Sequence, residues 1–198
     1  MTKALAAIEA SGASRIHVDV MDGHFVPNLA FGPGVVERLR KETALSIDVH
    51  LMATEPHVLI PLFRHADRLT VHVEIGATLL AWAFAAIRVA GCDVGLALNP
   101  ETPAEAVKPY LDSVSSILVM TVQPGRCGQP FRRDVLPKIE QIAAWRADRG
   151  LPFRLVVDGG INEATARECR KAGADTLVAG SAFFGAPDRR AFVENCTK

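Results

Sequence analysis

His17, Asp19, His50 and Asp158 are the residues whose types and spacing could do chemistry. His17 and Asp19 lie two apart in Arg15 to Asn28, RIHVDVMDGHFVPN. In an extended strand, successive side chains point to opposite faces, so His17, Asp19 and Met21 share one face and Ile16, Val18 and Val20 the other. Leu45 to Met52, LSIDVHLM, repeats the arrangement, with Asp48, His50 and Met52 together and Ile47, Val49 and Leu51 opposed. A lone His or Asp near a strand end is more often a satisfied structural group. The recurrence in two strands, joined by Asp158 at the end of a third, argues instead for one shared polar pocket. Two imidazoles and two carboxylates form a ligand set suited to one divalent ion, Zn²⁺, Mn²⁺, Fe²⁺ or Co²⁺, without choosing among them. Such an ion on a ketose carbonyl would stabilise negative charge developing on oxygen as the neighbouring C–H proton leaves. Two carboxylates on opposite sides of that carbon could each remove or return a proton, and epimerisation needs such a pair.

These residues must be positioned by the elements around them. A helix is expected at Thr2 to Ser11, stopped by Gly12, and after the His17 strand a helix at Pro33 to Lys41 with Pro at its first turn. Then follow the His50 strand, a short helix around His57 to His65, a strand at Leu69 to Glu74, a helix at Thr78 to Ala90 and a strand at Val94 to Leu98. The rest reads as helix Ala104 to Leu111, strand Ser116 to Val122, helix Arg132 to Arg149, strand Leu155 to Asp158, helix Ala164 to Ala172, strand Thr176 to Ala179 and helix Arg189 to Cys196. Regular alternation of strand and helix argues for a parallel sheet with helical crossovers. The strand ends carry His17, Asp19, His50, His72, Glu74, Met120 and Asp158, and a (β/α) barrel gathers its active site at those ends. The expected fold is a single α/β (β/α) barrel domain over residues 1–198, with seven strands and eight helices.

Glycines at turns let backbone amides approach a ligand closely, and amides at a helix start favour phosphate. Gly159, Gly160, Gly180 and Ser181, in DGGIN and AGSAFF, form the expected phosphate cradle, and Gly125, Arg126, Cys127 and Gly128 of PGRCG give a weaker second signal. With 198 residues and 49% hydrophobic content there is material for one substantial core. Lys plus Arg equals Asp plus Glu at 22 each, which offers no basic field for nucleic acid and no polybasic patch for lipid. The longest apolar run, Leu79 to Ile87, is far short of the roughly 20 residues that span a bilayer. Cys92, Cys127, Cys169 and Cys196 lack CxxC spacing and the density of a disulfide framework, so a cytosolic, reducing location is expected.

HVDVMDGHFVPN, DVHLM, LNPETP, MTVQPGRCGQPF, VVDGGIN and AGSAFF, in this order from about Ala4 to Phe184, resemble the ribulose-phosphate 3-epimerases, including the allulose-6-phosphate 3-epimerase branch. The resemblance implies a TIM barrel of pentose phosphate metabolism that interconverts ribulose 5-phosphate and xylulose 5-phosphate through a metal-stabilised enediolate. It implies His17, Asp19, His50 and Asp158 as metal ligands and Asp19 and Asp158 as the acid/base pair. It also implies that Met21, Met52 and Met120 line the pocket and that His50 touches substrate. Two departures stand out. The PSILSADF-like strand that usually opens the family is not found before the first helix, so a barrel lacking its first strand is expected. The family's PGFGGQ loop also reads PGRCGQ here. Allulose 6-phosphate is the near alternative substrate, and a non-catalytic sugar-phosphate binder damaged by loss of a strand is the alternative from another class. The expected partner is a small phosphorylated ketose, with neither nucleic acid nor membrane, and self-association into a homo-oligomer is left open.

Overall fold

The computed structural model describes residues 2–126 and 128–198, so Cys127 lies outside the described residues. Helix α1 (Thr2–Ser11) is followed by strand β1 (Arg15–Asp22), which turns back into a two-residue strand β2 (Leu29–Ala30). Next come α2 (Pro33–Glu42), β3 (Ser46–Met52), α3 (Pro56–Leu59), β4 (Arg68–His72), α4 (Ala77–Val89) and β5 (Asp93–Leu98). Then follow β6 (Ser116–Met120), α5 (Leu136–Arg149), β7 (Arg154–Asp158), α6 (Glu163–Lys171), β8 (Thr176–Val178), α7 (Ser181–Gly185) and α8 (Arg189–Thr197). The strands form one curled, eight-stranded, mostly parallel sheet in the order β2-β1-β3-β4-β5-β6-β7-β8, a half-barrel. Only β2 runs antiparallel, pairing Met21 with Ala30 and Asp22 with Leu29, so seven strands are parallel among the described residues.

The alternation read from the sequence sets the two layers. Ile47, Val49 and Leu51 of β3 are fully buried under the helices, beside Ile16, Val18 and Val20 of β1. Asp48, His50 and Met52 take the opposite, inner face. Burial of whole aliphatic side chains, about 1.5–3 kcal/mol each, drives the helices onto the sheet. Register is pinned by aspartates at strand starts. Asp67 accepts from the Ile47 backbone N–H at 2.7 Å while its own N–H donates to the Ile47 carbonyl, and Asp175 repeats this on Leu155.

Several elements differ from expectation. The segment expected as a helix at Ala104 to Leu111 is a 3-10 helix, Ala104–Tyr110, because Pro109 removes an α-helical donor. Pro61 likewise turns the end of the expected His57 to His65 helix into 3-10 geometry at Ile60–Phe63. The expected strand at Leu69 to Glu74 ends at His72, and Val73–Ile75 is a 3-10 turn. Helix α7 escaped notice because five residues are too few to show a period. Side-chain caps start α6 and α8, the latter through Asp188, which accepts from the Ala191 N–H. Asn162 accepts from the Ala164 and Thr165 backbone N–H groups, and the Thr165 hydroxyl in turn accepts from the Asn162 N–H, a reciprocal cap at the start of α6.

Asp22 ties the β1 exit to the β3 exit. Its carboxylate accepts from the His24 and Phe25 N–H groups, both at 2.8 Å, and from the Thr54 N–H and hydroxyl at 2.9 and 3.1 Å. Slight burial opposes ionisation, but these backbone bonds outweigh it and hold the carboxyl below its ordinary value. Asp22→Ala should therefore cost about 1–2 kcal/mol at pH 7, because water screens the site. A depressed folded pKa gives stability that is present above the unfolded value, about 3.9, and lost as pH falls through the folded one. Chemical denaturation of both proteins should show the difference narrowing below about pH 4, and a gap that widens in acid would contradict this role.

Candidate active site

Parallel register brings the cluster together. Across β1 and β3, His17 is the Cα partner of Asp48 and Asp19 of His50, and Asp158 ends β7 beside Met120. One ligand atom from each of His17, Asp19, His50 and Asp158 lies within 4.8 Å of the others. His17 Nδ1 is 3.1 Å from Asp48 Oδ2, and His50 Nδ1 is 3.1 Å from Asp19 Oδ1. His17 Nε2 is 3.3 Å from Asp19 Oδ1 yet buried without a hydrogen-bond partner. A buried imidazole nitrogen left unpaired among carboxylates is the position a cation would satisfy, so the cluster is compatible with a divalent metal.

The two carboxylates are pushed in opposite directions. Burial disfavours ionised Asp19, but the close imidazoles of His17 and His50 prevail and hold it well below the usual carboxylate range. Asp158 is pushed up to about 7 by burial and then by the neighbouring negative charge of Asp19. Burial lowers His50 to about 4, against the pull of Asp19. His17 moves the other way: burial disfavours its charge, but the close carboxylates of Asp19 and Asp48 hold the ring well above its ordinary value. Environments that separate two carboxylates in this way suit one to accept a proton and the other to give one.

Beside the cluster opens a cavity of about 690 Å³, lined by Asp19, Met21, Met52, Met120 and Asp158. Gly125, Arg126, Gly128, Gly159, Gly160, Gly180 and Ser181 line it too. His50 is fully buried, with Nδ1 3.1 Å from Asp19 Oδ1. Gly159 and Gly160 have reasons of their own. With φ of 119° and 63°, they occupy backbone conformations that side chains resist, and a Cβ would lie 2.6 Å from Val122 and 2.7 Å from the Phe131 nitrogen. Gly180, the N-cap residue of α7, has open space where its Cβ would be.

Sequence reasoning placed His72 and Glu74 among the strand ends and Asp48 on the face of His50, without assigning any of the three a role. Asp48 is the cross-strand partner of His17, and His72 lies on the strand next to His50 with Nε2 to Nε2 at 2.7 Å. The signal for His72 was its period-two offset from Thr70, the Cα partner of His50.

A half-barrel sheet with titratable groups and a glycine-lined cavity at the carboxyl ends of its parallel strands defines a small-molecule α/β enzyme of the barrel type. Its backbone is similar to 3-hexulose-6-phosphate synthase from Salmonella typhimurium, with a TM-score of 0.71 over 99% of this chain and 91% of that one, at 17% identity, a likeness of fold alone. Residues 1–184 match the model of the ribulose-phosphate 3-epimerase family. The chain is 45% identical to the ribulose-phosphate 3-epimerase of Bacillus subtilis strain 168 over 186 residues, 92% of this chain and 85% of that protein. It is 46% identical to that of Treponema pallidum strain Nichols over 188 residues, 93% and 85% of the two. The chain belongs to the ribulose-phosphate 3-epimerase family, whose members are carbohydrate epimerases of the isomerase class.

The raised Asp158 carboxyl has a consequence for stability. A folded pKa above the unfolded one gives stability that is full below about pH 4 and lost as pH rises through about 7. In protein treated with a chelator, Asp158→Asn should melt higher than the parent above pH 7 by a few degrees, and the two curves should approach each other toward pH 4. A variant that melts lower at every pH would contradict the assignment.

Proposed function

We propose that the chain interconverts D-ribulose 5-phosphate and D-xylulose 5-phosphate by proton transfer at C3, with Asp19 and Asp158 as the acid/base pair. The observation that carries this reading is the juxtaposition of two carboxylates, one held ionised and one pushed up to about 7, beside a cavity large enough for a pentulose phosphate. Ionised Asp19 takes the C3 proton from one face of the sugar, leaving an enediolate. Protonated Asp158 returns a proton to the opposite face, which inverts C3. Asp19 is then protonated and Asp158 ionised, the arrangement that runs the reaction in reverse. His17, through Nε2, and Asp19, His50 and Asp158 would hold a divalent ion, which when bound supplies positive charge against the negative charge developing on the sugar oxygen. Met21, Met52 and Met120 would give the apolar wall against the sugar carbons, and His50 would touch the substrate from beside Asp19.

The phosphate is assigned to the glycine-bearing loops, with Gly159, Gly160, Gly180 and Ser181 joined by Gly125, Arg126 and Gly128. The finer fold reading is a (β/α) barrel short of one strand between β8 and β1. Support comes from the sheet order, in which these two strands stand at opposite ends of the parallel array, and from the cavity, which runs between them past Ile8, Phe183 and Phe192. No described helix is long and apolar enough to cross a membrane.

Asp19→Asn and Asp158→Asn should each lower turnover by about 10²–10⁴-fold while leaving the fold intact. In heavy water the parent enzyme should place deuterium at C3, read by mass spectrometry of the sugar phosphate. Folded, metal-supplied protein that exchanges no deuterium would refute the reading. Gly180→Val should raise KM for the sugar phosphate without changing metal content, because the added side chain enters space open to the ligand. An unchanged KM would remove Gly180 from the cradle.

A further inference from the structure

Behind His50 runs a line of polar groups that the proton transfer does not use. His50 Nε2 faces His72 Nε2 at 2.7 Å, and His72 Nδ1 faces Glu74 Oε2 at 2.9 Å. Glu74 Oε1 accepts from the Asn99 N–H at 2.7 Å and from the Thr102 hydroxyl. Both imidazoles are fully buried, and the tilted Phe25 ring covers His72 with its centroid 4.7 Å away.

The direction of each bond in this line is fixed by its far end. The Asn99 N–H can only donate, which makes Glu74 the acceptor there. A carboxylate can only accept, so the proton between Glu74 and His72 sits on His72 Nδ1. A neutral imidazole carries one N–H, so His72 Nε2 presents a lone pair to His50, and His50 must donate through its own Nε2. The remaining His50 lone pair, on Nδ1, then points toward Asp19 Oδ1, 3.1 Å away, on the side where the cluster converges. Two neutral rings hold two N–H groups, whereas the three contacts from Asp19 to Glu74 would need three. A cation at Nδ1 removes the need for the third.

We infer that His72 and Glu74 are positioning residues that act in series, locking His50 in the tautomer whose Nδ1 can ligate a metal. The inference rests on the metal reading of the His17, Asp19, His50 and Asp158 cluster. His17 has a shorter version of the same device, with Asp48 on its Nδ1 and the unpartnered Nε2 turned inward. Partners of this kind commonly change metal affinity about 10–100-fold when replaced.

Glu74→Gln separates charge and direction from size. Asn99 and Thr102 donate, so the amide oxygen stays on their side and the amide NH₂ faces His72 Nδ1. His72 must then accept there and donate through Nε2, which forces the His50 proton onto Nδ1, where it blocks the ligand position. The test combines calorimetric titration of Zn²⁺ into chelator-treated parent, Glu74→Gln and His50→Ala proteins with ¹⁵N–¹H correlation of the histidine rings in the Zn²⁺-loaded parent. The expected result is about 10–100-fold weaker Zn²⁺ binding in Glu74→Gln with an unchanged circular dichroism spectrum, and protons on His50 Nε2 and His72 Nδ1 in the parent. Equal Zn²⁺ affinity in folded Glu74→Gln, or a His72 proton on Nε2 in the parent, would overturn the inference and leave the metal reading standing. Parent protein that binds no Zn²⁺, or His50→Ala that binds as tightly as the parent, would overturn both, and the fault would then lie with the metal reading. Should Glu74→Gln fail to fold, the ring protonation pattern of the parent decides alone.

Discussion

Burying ionisable groups on the inner face of a parallel sheet is costly unless each finds a partner, and that constraint governs everything around Asp19. Histidines and carboxylates alternate there along and across the strands: His17 beside Asp48, Asp19 beside His50, His72 beside Glu74. Each imidazole has a carboxylate on one nitrogen, so no ring is buried with both nitrogens unmatched. Asp158 is the exception. Burial first and the like charge of Asp19 second push its carboxyl up to about 7. The chemical asymmetry of the site is therefore a by-product of which carboxylate the histidines reach.

The backbone meets this constraint through register. A slip of one residue between β1 and β3 would turn the polar face into the helix layer and the aliphatic face into the cavity. Further along the sheet, Asp67 fixes the start of β3 against β4 and Asp175 that of β7 against β8. Arg40 and Arg146 lie on these two carboxylates in turn, so helices α2 and α5 are tied to the same points. The polar cluster at the top of the strands thus depends on hydrogen bonds at their opposite ends.

The inner face of β1 and β3 was legible because strand alternation is a local rule that needs no knowledge of neighbours. Asp158 was legible for a similar reason, since an acidic residue closing an apolar run before two glycines marks a strand end. His72 and Glu74 were visible as residues but not as a relay, because their meaning depends on which strand lies beside β4 and on a turn that ends it early. Gly159 and Gly160 show a different limit. A sequence cannot separate a glycine needed by its own chain, here against Val122 and Phe131, from one that admits a ligand, and these two satisfy the first demand whatever the second. The 3-10 segment around Pro109 was misread because its apolar spacing fits an α-helix for the few residues before the proline.

The seam between β1 and β8 bears on how the molecule assembles. Every parallel strand pairs with its neighbour in sequence, and the two ends of the array are brought near each other by helix α1 against α8 rather than by strand hydrogen bonds. Each addition to the sheet closes a loop only one strand–helix unit long, and the entropy of such closures grows slowly with length. The described sheet can therefore grow by stepwise extension from one strand–helix unit to the next. Rate-limiting contacts would be local ones between successive units. Docking of the terminal helices would come as a separate step, one that alters the rate of unfolding more than the rate of folding.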